Sequence, residues 1–95
     1  MSKLKFIVSS VALMRFIDRI IEFLGPEVKI TIVDKELHID GFKELWVESK
    51  GNGEFVIPKY KIHQLRRVIG LLSDQPLTIK IGHTSDWIEV YNLTI

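Results

Sequence analysis

The chain has 95 residues, Lys+Arg 13 against Asp+Glu 12, 46% hydrophobic and 26% charged residues, and no cysteine. That length suits one domain, residues 1–95, with a modest core; the composition excludes a disordered or collagen-like chain, and the lack of thiols excludes disulfides, thiolate metal sites and cysteine catalysis. The near-neutral total hides an uneven distribution: Lys59, Lys61, Arg66 and Arg67 share one short segment with no carboxylate before Asp74, leaving nine basic against 12 acidic residues elsewhere.

Leu4 to Val8 reads as a first strand. Lys3 and Lys5 ahead of the apolar run Phe6 to Met14 imitate a secretory signal, but Arg15, Asp18 and Arg19 interrupt the run and no small-residue cleavage site follows. No segment has the roughly 20 apolar residues of a membrane span, so the expectation is a soluble, cytoplasmic protein without membrane contact. Ser9 and Ser10 supply N-cap oxygens for a helix from Ser10 to Leu24, closed by Gly25-Pro26. Its apolar stripe holds Leu13, Phe16, Ile17, Ile20, Phe23 and Leu24, and Arg15, Asp18, Arg19 and Glu22 lie opposite.

Val28 to Val33 and Leu37 to Asp40 read as a hairpin around Asp34-Lys35-Glu36, followed by a strand from Leu45 to Ser49 and, after Gly51-Asn52-Gly53, another from Glu54 to Ile57. Pro58 starts a second helix, with Ile62, Leu65, Val68, Ile69 and Leu72 on its apolar stripe and Lys59, His63 and Arg67 opposite, Arg66 at the border. Leu77 to Ile81 and Trp87 to Ile95 complete the strands. The order β-α-β-β-β-β-α-β-β predicts an α+β fold, a mainly antiparallel sheet with both helices on one face and Ile17, Ile20, Leu65 and Ile69 in the shared core. The residue letters give no internal repeat at spacings of roughly 20–50 residues.

His38, His63 and His83 lack metal-ligand spacing, and the serines, histidines and carboxylates sit in no nucleophile-elbow context; the expectation is no metal, no cofactor and no enzyme. The basic helix reads either as a solvated face or as a phosphate-contacting one. Asp18 and Glu22 are close enough to pair with Arg15 and Arg19 in a surface network. Trp46 opposes Leu45 and Val47 on its strand, and Trp87 shares a face with Tyr91; these aromatics form either the rim of the core or an outer surface for a neighbour.

The strand-to-helix passage KFIV, the hairpin ITIVDKELHIDG, the step GEFVIPKYKIHQLRRVIGLL, then DQPLTIKI and WIEVY occur in an order that resembles one domain of a DNA sliding clamp, the ring-shaped processivity factor of replicative polymerases. The resemblance implies helices that line a hole around duplex DNA and sheets that form the outer wall and pair edge to edge. Arg15 and Arg19 on the first helix, with Lys59, His63, Arg66 and Arg67 on the second, would touch the duplex backbone without reading sequence. Clamps of the family string two or three such domains together. A single domain would instead self-associate through its sheet edges, with Trp46, Trp87 and Tyr91 on partner surfaces and replication proteins among its partners. The alternative is an assembly module of the same fold that binds no DNA.

Overall fold

The computed structural model of the protein describes residues 4–49, 51–81, 88–90 and 93–94. Strand β1 (Leu4–Ser9) runs directly into α1 (Ser10–Ile20) because Ser9 keeps extended dihedrals while its Oγ accepts the Ala12 N–H at 3.3 Å, satisfying one of the donors that a helix start leaves unpaired. The helix predicted to reach Leu24 ends at Ile20 and tightens into a 3-10 turn, Ile21–Phe23. Strands β2 (Glu27–Val33) and β3 (Glu36–Ile39) are joined by Asp34-Lys35, and β3 is joined to β4 (Phe42–Trp46) by Asp40-Gly41. All four turn residues have positive φ, at 51°, 66°, 52° and 87°, as two-residue hairpin turns matched to the strand twist require. Asp40 offsets that strain locally: its N–H donates to Lys29 O and its Oδ1 accepts the Lys29 N–H, both at 2.8 Å.

The strand predicted from Leu45 to Ser49 is broken. Val47 is buried and donates its N–H to Lys35 O at 3.0 Å, which turns the chain from β4 into the two-residue β5 (Glu48–Ser49). Strand β6 (Gly53–Pro58) then enters α2 (Lys59–Gly70), and β7 (Pro76–Ile81), β8 (Ile88–Val90) and β9 (Leu93–Thr94) follow.

Among the described residues every strand pairing is antiparallel, in agreement with the predicted α+β class, but the strands divide between two sheets, β5-β1-β7-β8-β9 and β4-β3-β2-β6, where the sequence suggested one. The division follows from an exchange. Strands β1 and β6 each feed a helix, yet β1 pairs with β7 from Leu4↔Ile81 to Ser9↔Pro76, and β6 pairs with β2 from Gly53↔Ile32 to Pro58↔Glu27. These two registers coincide when every residue of the first half is matched to the one 49 positions later, Leu4 to Gly53 and Ile32 to Ile81. The same shift converts the Ser10 N–H to Gln75 O hydrogen bond into the Lys59 N–H to Pro26 O bond, both 2.9 Å. The chain is therefore an internal repeat with exchanged first strands, a correction to the letter-based reading that found none.

The helices touch each other, with α1 against β4 and α2 against β8, so they form one layer across both sheets. Ile17, Ile20, Leu65 and Ile69 are all buried, as expected, in one continuous core that also takes in both sheets. The solvent side of this layer and the free edge of β4 hold the exposed groups that matter below. That edge is irregular: Leu37 faces Leu45 and His38 faces Lys43, which leaves Glu44 as an extra residue in β4.

Candidate nucleic-acid interface

The core-facing stripe of α1 leaves Arg15, Asp18 and Arg19 exposed, with Glu22 exposed on the 3-10 turn that follows; that of α2 leaves His63 and Arg67 exposed and Arg66 half-buried at the seam between the helices. Helix α1 was expected to neutralise its own arginines. Instead Asp18 reaches across the layer: Arg66 Nε donates to its Oδ1 at 2.6 Å and Nη2 donates to its Oδ2 at 3.1 Å, a two-pronged fork. The hydrogen bonds to Asp18 outweigh partial burial and hold the Arg66 guanidinium above its already high pKa, so it stays charged throughout the accessible pH range. Gly70 makes room for this geometry, since a Cβ there would collide with Arg66 Nη1.

The other cations divide into committed and available ones. Lys59 is half-buried and its Nζ donates to Leu24 O at 3.1 Å, capping a carbonyl at the end of the 3-10 turn; it is tied to the chain and does not project as the sequence implied. Arg19 is exposed, with its guanidinium carbon 6.0 Å from the centre of the Phe16 ring, and Lys61 lies 5.8 Å from the centre of the Tyr60 ring. Arg15 and Arg67 are exposed and make no ion pair with another described residue. The solvent face of the layer thus offers Arg15, Arg19, Arg66 and Arg67, with His63 beside them, against Asp18 and Glu22, while Lys61 is half-buried at the flank of α2. Chemically it can attract phosphates.

Trp46 is 71% exposed at the end of β4, over an open cleft of about 680 Å³ that Ser9, Lys35, Glu48, Asp74 and Pro76 help to line. It belongs to the outer surface, not to the core rim. Trp87 and Tyr91 lie outside the described residues. The sequence reading missed an aromatic pair: Phe23 was placed on the apolar stripe, yet it is 69% exposed, with its ring centre 6.1 Å from that of Phe42. No signal in the sequence marked it, since the helical pattern continues to Leu24; the switch to 3-10 geometry after Ile20 rotates Phe23 off the buried stripe. No described helix is long and apolar enough to cross a membrane, and no group of three or more described His, Asp or Glu residues is placed to hold a metal. Comparison with protein-family models, with curated proteins and with solved structures gives no match.

Proposed function

We propose that the protein is a non-enzymatic, sliding-clamp-like module that contacts the phosphate backbone of duplex DNA through its helix layer, without reading sequence, and works as an oligomer in DNA replication. The observation that carries this reading is the excess of cations over carboxylates on the solvent face of two helices that the sheets hold side by side. The exchanged repeat supports it as well, because it gives the paired helices a common backing and leaves sheet edges away from the bulged β4, at β6 and β9, where copies can join. Arg15 and Arg67 are the primary phosphate contacts. Arg66 contributes only in competition with Asp18, and Lys59 contributes through the long-range field.

The test is binding to a random duplex over a range of salt concentrations. Each phosphate neutralised adds about −0.9 to the slope of log K against log salt, so Arg15→Ala combined with Arg67→Ala should flatten the slope by up to about two units and weaken all duplex sequences alike. A flat slope for the wild type, or one preferred sequence, would sink the reading. A protein-interaction or assembly module that binds no DNA is the second reading. Its support is Trp46, a large exposed aromatic at the end of an outer strand and over a cleft. A salt-independent oligomer that Trp46→Ala disperses would favour it.

A further inference from the structure

We propose that Phe23 and Phe42, together with Arg19 and Lys43, form a subsite for an unpaired nucleotide of single-stranded nucleic acid at the end of α1. The inference extends the reading above and rests on it for the cations of the neighbouring helix face. Four observations carry it. First, two phenylalanine rings from different elements meet at the surface, 69% and 38% exposed, with ring centres 6.1 Å apart and planes inclined by 39°. Phenylalanine has no polar handle that would reward exposure, so a paired and exposed arrangement offers apolar area and π-faces to something outside the fold.

Second, the surface beside Phe42 is concave. Phe16, Arg19, Ile20, Gly41, Phe42 and Lys43 line a cavity of about 460 Å³, within the usual range for a small-ligand pocket. Gly41 keeps one wall low, because no atom stands within 4 Å of where its Cβ would be. Third, two cations border the rings. Arg19 lies over Phe16, and the exposed Lys43 has its Nζ 3.2 Å from Oε1 of the half-buried Glu36, so a phosphate at this lysine competes with one carboxylate. Arg15, one turn before Arg19, continues the positive track onto the helix layer, and Glu22 is the opposing charge next to Phe23.

Fourth, the geometry selects the occupant. An intact duplex keeps its base faces stacked inside and presents none to an aromatic pair; an unpaired base presents both, and stacking on such rings is tolerant of sequence. A strand added by a peptide or by a second copy would need a regular row of backbone groups along β4, and the extra residue Glu44 interrupts that row next to Lys43. Aromatic faces flanked by cations match a base and its phosphate.

The experiment is fluorescence anisotropy with a labelled oligothymidylate and with a random duplex of equal length, comparing wild type, Phe23→Ala, Phe23→Trp, Phe42→Ala and Arg15→Ala with Arg67→Ala. The ring of Phe23 is largely in water, so its removal leaves the core intact; thermal melts verify this for each variant. Phe23→Ala should weaken oligothymidylate binding by about 5- to 100-fold, the loss of one base stack, and change duplex binding less than about twofold, while Phe23→Trp retains the single-strand affinity. Phe42→Ala should act in the same direction. The double arginine variant should weaken both ligands. Oligothymidylate binding that is indifferent to both phenylalanines, beside normal duplex binding, overturns the subsite alone. If neither nucleic acid binds, the subsite and the phosphate reading fall together. A fall in native mass caused by Phe23→Ala, with no change in oligothymidylate binding, assigns the pair to contacts between copies and likewise overturns the subsite.

Discussion

The two halves of the repeat share a scaffold and differ in charge. Phe6 and Phe55, Leu13 and Ile62, Phe16 and Leu65, Ile20 and Ile69 occupy equivalent places, and each of these pairs is apolar. Even the tie at each helix start is duplicated: Ser10 Oγ donates to Ser73 O at 3.1 Å where Lys59 Nζ donates to Leu24 O, and both donors and acceptors are 49 residues apart. Lys59 is thus the long-armed counterpart of a buried serine, which explains why its charge does not reach the solvent face. The halves part at the helix seam. Ile17 and Ile21 of α1 correspond to Arg66 and Gly70 of α2, an exchange of two apolar side chains for a guanidinium and the space it occupies. Most core positions are apolar in both halves, but not all: fully buried Ile17 has half-buried Arg66 as its counterpart, and buried Leu24 has exposed Ser73. The cationic bias of α2 is therefore not something the scaffold needs.

The largest expected effect breaks the shared core from either side. Phe16→Ala and Leu65→Ala, both buried at equivalent positions, should each cost roughly 2–5 kcal/mol in chemical denaturation through lost transfer energy and a residual cavity. Both should shift a single cooperative transition; a transition that splits in either variant would mean that the halves fold as separate units. Next comes the duplicated tie. Ser10→Ala strands the Ser73 carbonyl and the Gln75 N–H that its hydroxyl serves, for about 1–3 kcal/mol, whereas Lys59→Met removes one hydrogen bond from a half-buried group for about 0.5–1.5 kcal/mol. The reverse order would show that the lysine carries more of the joint than its serine counterpart.

A smaller effect sharpens the seam. A double-mutant cycle on Asp18→Ala and Arg66→Ala should give a coupling of about 0.2–1 kcal/mol, because the side chains are half and one-third exposed and water screens them. Arg66 has a raised pKa, so its contribution is fully present below the unfolded arginine value and lost only as pH climbs through the folded one. Its share of stability should stay constant between pH 5 and 9, to be checked by denaturation at both ends of that range; a marked change in the coupling would implicate a different proton. Smallest of all, Lys59→Met should leave the salt slope of duplex binding nearly unchanged while Arg67→Ala flattens it by about 0.9. Equal effects would mean that Lys59 leaves Leu24 to meet phosphate.

Much of this molecule could be read without coordinates because its signals are short. Alternation over Val28 to Val33, the helical stripe through Leu13, Phe16, Ile17 and Ile20, the capping serine at 9 and the proline at 58 each act within a few residues, and α1, α2, β1, β2, β3, β6 and β7 lie close to where those patterns put them, whereas the strand expected over Leu45 to Ser49 is split between β4 and β5. The location of the cations on helix surfaces was legible for the same reason. The repeat was not, because equivalent core sites exchange one apolar residue for another, Val8 for Ile57 and Val28 for Leu77, and packing tests volume and apolarity more than identity. Which strands pair, whether Asp18 turns to its own helix or to Arg66, whether Lys59 faces solvent or Leu24, and whether Phe23 enters the core or meets Phe42 were decided by tertiary structure. Each joins groups far apart in the chain, 48 residues for Asp18 and Arg66 and 35 for Lys59 and Leu24, and at that separation only the assembled sheets bring them within reach.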